Sequence, residues 1–109
     1  MNGRKMKYKL KFMFDWGSGT CIWAANNAAR AKYGYAVDID ELPISEELCE
    51  CMVRLCEEHD LALDWECPQN GPVWTGQEQK AFKERAKQIY QRICEELAEE
   101  FEIVLGTLI

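Results

Sequence analysis

Hydrophobic and polar residues alternate near the start and near the end of the chain. In the first segment the apolar residues are Tyr8, Leu10, Phe12 and Phe14, and the polar residues are Lys7, Lys9 and Lys11. A period of two is that of a β-strand with one buried face, so 7–14 is predicted as a strand. Residues 101–105 repeat the pattern and predict a second strand. A weaker alternation makes 61–66 a candidate third strand.

Three other segments are predicted as helices, and the second and third of them have the apolar spacing of a helix with one buried face. The first, 23–33, ends at a glycine suited to a helix C-terminus. The second, 46–59, begins after Ser45, which can accept a hydrogen bond from a free backbone N–H of the first turn. The third, 76–99, opens with a threonine followed three residues later by a glutamate, the spacing of a capping box.

The order of these elements predicts a two-layer α+β or small α/β domain that spans 1–109. A narrow sheet of two or three strands is covered by three helices. A chain of 109 residues with 48% apolar and 29% charged residues supports one compact core and excludes wholesale disorder.

The first residues lack the apolar run of a signal peptide, and no uncharged stretch is long enough to span a membrane. A cytoplasmic protein without a membrane partner is therefore expected. Such proteins keep their cysteines reduced, so the six cysteines predict no disulfide framework.

Four side chains on or near the second helix are candidates for a metal or thiol site: Cys49, Cys56, His59 and Cys67. The first three share the apolar face of the predicted helix, whereas zinc sites usually hold paired cysteines on a turn. A role as small buried hydrophobic side chains explains Cys49 and Cys56 more simply. No cofactor is predicted, and a metal or thiol site is kept as an alternative.

A small enzyme that uses Cys21 or the Gly17–Thr20 loop is a second alternative. The loop stands between a strand and a helix, as phosphate-binding loops do, but it lacks the further glycine or the lysine of known motifs. A tight turn with positive φ angles also explains its glycines. Cys21 would need a nearby base, and nothing in the sequence places His59, the one histidine, beside it.

The net charge of −6 is unevenly distributed along the chain. Residues 1–33 carry seven basic side chains and one acidic, a net +6, whereas 38–66 carry eleven acidic side chains and one basic, a net −10. The long helix has its basic residues first and its acidic residues last, which opposes the helix dipole. Its charges must therefore face either oppositely charged parts of the same protein or another molecule.

The acidic face of helix 46–59 is the strongest functional feature of the sequence. This face is either a solvated surface only or a docking surface for a basic protein. The docking alternative rests on its concentrated negative charge, which speeds association with a basic partner and selects it. Overall acidity argues against direct binding to nucleic acid. Large basic surfaces are typical of nucleases and CRISPR-type effectors.

The sequence therefore favours a non-enzymatic acidic interaction protein of the inhibitor, immunity or anti-defence type, such as an anti-CRISPR protein of a mobile element. A homodimer through complementary charge blocks stays open. The predicted partner-binding residues are Glu46, Glu47, Glu50, Glu57, Glu58, Asp64, Trp65 and Trp74.

Overall fold

The architecture is the predicted α+β fold, a three-stranded sheet with three helices. The computed structural model describes residues 7–64, 66, 67, 69, 73–97 and 99–108. The strands are β1 (Tyr8–Phe12), β2 (Ile22–Ala24) and β3 (Phe101–Leu105). The helices are α1 (Asn27–Tyr33), α2 (Glu46–Leu61) and α3 (Gly76–Glu96).

The strand order is β2-β1-β3, with β1 antiparallel to β2 and parallel to β3. The inward face of β1 receives the helices, as its alternation predicts. Tyr33 of α1 packs on Tyr8 with ring centroids 5.7 Å apart, and Tyr90 of α3 stacks on Phe12 at 6.0 Å. The lysines at 9 and 11 lie on the opposite face, away from this core.

The short strand β2 lies where the sequence predicted the start of a helix over 23–33. All three of its residues are buried, and Ala24 pairs with Leu10 of the central strand. Helix α1 begins later, after Asn26, whose side chain accepts a hydrogen bond from the N–H of Ala29. Three residues are too few to show a period of their own, so pairing with β1 decides their conformation.

The candidate strand at 61–66 is wrong for the residues that the structure describes. Helix α2 continues to Leu61, two residues beyond its predicted end, and Ala62 closes it. A single-residue bridge at Leu63 is the only extended pairing in the described part of 61–66. Leu61 lies in the last turn of α2 and Leu63 lies just after the helix, so their alternation does not come from a strand.

Both predicted helix caps are present. The Ser45 side chain accepts from the N–H of Leu48 at the start of α2, and Thr75 and Glu78 form a full capping box at the start of α3. Helix α3 ends at Glu96, earlier than the predicted 99. Within the described residues no helix is long and apolar enough to cross a membrane.

Candidate functional site

The five predicted glutamates of α2 lie on two different sides of the helix. At 100° per residue, Glu46, Glu50 and Glu57 fall within about 40° of one another. Glu47 and Glu58 lie about 90° further round the helix. The structure places the first group in an open groove and the second against helix α3.

The first group of glutamates lines a groove between α2 and the short 3-10 turn Ile39–Glu41. The groove has a volume of about 370 Å³ and is here called the acidic groove. Its lining residues are Asp40, Glu46, Cys49, Glu50, Val53, Arg54 and Glu57. Four carboxylates therefore surround a single guanidinium, so the groove is an acidic concavity.

The floor of the acidic groove is partly apolar. The side chain of Val53 lines the groove and is 41% exposed. It lies at the edge of the apolar stripe, roughly 100° from its centre, and the core does not reach that far round the helix. An exposed apolar side chain among carboxylates is suited to contact with another protein.

Cys49 is tied to the same groove through Asp40. Its Sγ donates a hydrogen bond to Asp40 Oδ1 at 3.1 Å. That hydrogen bond, followed by burial and the nearby carboxylates, raises the pKa of Cys49 to about 11. The thiol is therefore protonated and neutral at physiological pH, and it leaves the negative charge of the groove unchanged.

Glu47 and Glu58 are paired with arginines of α3. Arg85 bonds to Glu58 at 2.9 Å, and Arg92 lies 3.2 Å from Glu47. Exposed pairs of this kind contribute about 0.2–1 kcal/mol each. These two glutamates bridge α2 to α3, so their charges are partly neutralised and less available to a partner than those of the acidic groove.

The reversed charge order of α3 is explained by contacts within the protein. Its basic half supplies Arg85 and Arg92 to α2, as described above. Its acidic end supplies Glu96, whose carboxylate accepts from Ser45 N at 2.7 Å and from Ser45 Oγ at 2.9 Å. The Glu96 carboxylate is unfavourable at the C-terminus of α3 but favourable at the N-terminus of α2. The two interactions with helix dipoles therefore offset each other.

Two other predicted contact residues, Asp64 and Trp74, stand outside the acidic groove. Asp64 accepts hydrogen bonds from the N–H groups of Glu66 and Cys67, which closes a turn. Trp74 packs on Phe82 with ring centroids 5.1 Å apart and is half-buried. Trp65 lies outside the described residues.

Most of the chain matches a known family of proteins. The model of the Serratia CdiI immunity protein-like family matches residues 8–106. The chain belongs to this immunity-protein family. No curated protein matches it. Family membership favours an interaction protein over an enzyme, in agreement with the sequence interpretation.

In this CdiI-like protein the four candidate metal ligands do not come together. Cys49 bonds to Asp40, Cys56 lies in the core beside Cys21, and His59 is enclosed by aromatic rings. Among the residues that the structure describes, no three His, Cys, Asp or Glu side chains are placed to hold a metal ion.

The candidate catalytic features of the CdiI-like chain have structural roles. Cys21 is fully buried, and burial together with a hydrogen bond to Cys56 raises its pKa well above the usual value, which opposes nucleophilic activation. Gly17 and Gly19 have positive φ angles, as predicted for a tight turn. The N–H of Gly17 donates to Asp60 Oδ1 at 3.0 Å, so this loop amide already binds a carboxylate of the same chain.

His59 joins the same loop to the end of α2. Only 1% of its surface is exposed, and its ring stacks on Trp16 at 4.6 Å and on Phe14 at 5.2 Å. Trp16 Nε1 donates to the carbonyl oxygen of His59 at 2.8 Å. His59 Nε2 is buried with no hydrogen-bond partner among the described residues, a setting that disfavours the charged imidazolium.

Lowering the pH from about 7.5 to about 5.5 is expected to destabilise the fold through His59. Burial lowers the pKa of His59 below its ordinary 6.5 and outweighs the opposing effects of Asp60 and Asp15. Below about pH 6.5 the unfolded chain therefore binds a proton that the folded chain does not, so stability falls as pH decreases, by at most about 1.4 kcal/mol per pH unit. Urea unfolding at several pH values measures this slope.

The matched variant for this titration is His59→Phe, which keeps an aromatic ring in the stack and removes the titrating group. It is expected to flatten the dependence of unfolding free energy on pH between about 7.5 and 5.5. Equal slopes for the variant and the original protein would show that His59 does not carry the effect.

Proposed function

We propose that this protein is an immunity protein that neutralises a nuclease toxin by docking the acidic groove on the toxin's basic, nucleic-acid-binding surface. An immunity protein acts by binding its toxin, and membership in an immunity-protein family supports that role. The acidity of the groove supports a toxin with a basic surface as the partner.

The observation that carries the proposal is the unpaired charge in the acidic groove. No described basic side chain lies within ion-pair distance of Glu46, Glu50 or Glu57, although α3 supplies arginines to their neighbours on α2. Four carboxylates that share the single guanidinium of Arg54 leave a net negative charge in the groove, and their mutual repulsion destabilises the free protein slightly. A basic partner relieves this repulsion, and the apolar contact at Val53 adds to the interface.

A nuclease is the toxin class that fits best. Its substrate-binding surface must be positively charged to hold phosphates, so an acidic protein that covers it blocks activity directly. Because a nuclease toxin acts on nucleic acid inside the cell, we propose that its neutralisation takes place in the cytoplasm. Family membership favours a toxin over a CRISPR-type effector as the partner.

The experiment is co-expression of the chain with a panel of bacterial toxin domains that contains both nucleases and pore-forming toxins. Rescue of growth is expected for at least one nuclease, whose purified domain should lose nuclease activity when an equimolar amount of the chain is added. The association rate should fall steeply as ionic strength rises. Protection against pore-forming toxins alone would overturn the proposal.

A further inference from the structure

A second concavity lies at the other end of the exposed side of α2, and nothing described so far uses it. It has a volume of about 280 Å³ between the end of α2 and the start of α3. We call it the apolar cleft. Its lining residues are Glu58, Leu61, Trp74, Glu78, Ala81 and Arg85.

Leu61 is the most exposed large apolar side chain in the described part of the protein, at 73%. Val73 is 57% exposed and lies close by, because its N–H donates to the carbonyl oxygen of Ala62 at 2.6 Å. Five large apolar side chains are exposed among the described residues, and three of them, including Val53, lie on α2 or beside its end. Exposed apolar surface is therefore concentrated along the acidic helix.

The cleft is held in place before any partner arrives. The backbone hydrogen bond from Val73 to Ala62 ties the segment just before Trp74 to the end of α2. The capping box at Thr75 fixes the start of α3, and Trp74 rests on the fully buried Phe82. A cleft that is held in place in the free protein loses little conformational entropy on binding, which favours its use as an anchor point.

The rim of the cleft specifies the chemistry of an occupant. Glu58 and Glu78 stand on it against a single arginine, Arg85, which is already bonded to Glu58. The charged half of the lining therefore has a net negative charge, and it stands beside the apolar side chains of Leu61, Trp74 and Ala81. The cleft complements an apolar side chain flanked by lysine or arginine.

We infer that the apolar cleft is the anchor point of the toxin interface and receives an apolar side chain from a basic loop of the toxin. This inference rests on the proposed function and extends it from charge attraction to a specific contact. A few well-packed contacts from which water is excluded carry much of the binding energy of an interface, and charges add association rate, partner choice and, where the pairs are close, affinity. The acidic groove then attracts the toxin, and the cleft adds a specific contact through Leu61.

The test compares Leu61→Ser with the original protein in binding to the nuclease domain that the chain neutralises. The variant is expected to weaken affinity about tenfold or more, mainly through faster dissociation. Leu105→Ser is the matched control, because Leu105 is 45% exposed on β3 and lines neither concavity. Its affinity should stay within about twofold of the original.

Two outcomes separate this inference from the proposed function. If reversal of the groove charges weakens binding but Leu61→Ser does not, the toxin docks without the cleft and the inference is wrong. If Leu61→Ser weakens binding and charge reversal does not, the cleft is an anchor point, but the acidic groove is not the docking surface.

A probe independent of any toxin is a short peptide with one leucine between lysines, compared with the same peptide carrying serine. Methyl NMR signals of Leu61 and Val73 should shift with the leucine peptide and not with the serine peptide. Equal shifts for both peptides, or shifts confined to Leu105, would overturn the inference.

Discussion

Reversing the three unpaired glutamates of the acidic groove together, Glu46→Lys, Glu50→Lys and Glu57→Lys, is expected to weaken toxin binding by about 1000-fold or more. Close charge pairs across such interfaces contribute on the order of 1.5 kcal/mol or more each, and three of them give this factor. The variant replaces attraction by repulsion at the point where the basic surface would dock. Protection of growth should be lost with it.

The fold should survive this change. All three side chains are exposed, and none of them makes the cap of α2 or an ion pair with α3. Only Glu46 lies in the first helical turn, where a lysine costs a few tenths of a kcal/mol through the helix dipole. Urea unfolding therefore serves as the check that loss of binding is not loss of structure.

The matched control carries the same change in net charge elsewhere on the surface: Glu84→Lys, Glu95→Lys and Glu102→Lys. These residues are exposed and line neither the acidic groove nor the apolar cleft. The control should bind more slowly, because the overall field is weaker, but it should lose far less affinity than the groove variant. Equal losses would mean that net charge alone matters.

Local signals were sufficient for much of the fold. Ser45 and the Thr75–Glu78 pair predicted the starts of α2 and α3, because capping depends on neighbouring residues only. The alternation at 101–105 predicted β3 to the residue. Strand β2 was missed because its conformation depends on hydrogen bonds to β1.

The acidic side of α2 could be predicted from the sequence, but its division into two stripes could not. Helical angles place Glu47 and Glu58 beside the other glutamates, and only the packing of α3 against α2 shows that arginines reach these two. The exposure of Leu61 could not be predicted from the sequence for a similar reason. Its alternation with Leu63 resembles a strand until the helix is seen to continue through it.

Phe82→Ala is expected to reduce the free energy of unfolding by about 3–5 kcal/mol, the usual cost of removing a fully buried aromatic ring. Phe82 has no exposed surface. Its ring lies 5.1 Å from Phe14, 5.8 Å from His59 and 5.1 Å from Trp74. It therefore joins the segment after β1, the end of α2 and the entry to α3, and its loss leaves a cavity where three parts of the chain meet.

Chemical denaturation of this variant beside Lys83→Ala, an exposed neighbour expected to change stability by less than about 0.5 kcal/mol, measures the effect. A loss below about 1 kcal/mol for Phe82→Ala would mean that the site collapses around the smaller side chain. A domain of this size has roughly 5–15 kcal/mol of stability in total, so the expected loss is a large part of it. The variant should therefore protect cells poorly even with an intact acidic groove, and added purified toxin should restore part of its stability by binding the folded form.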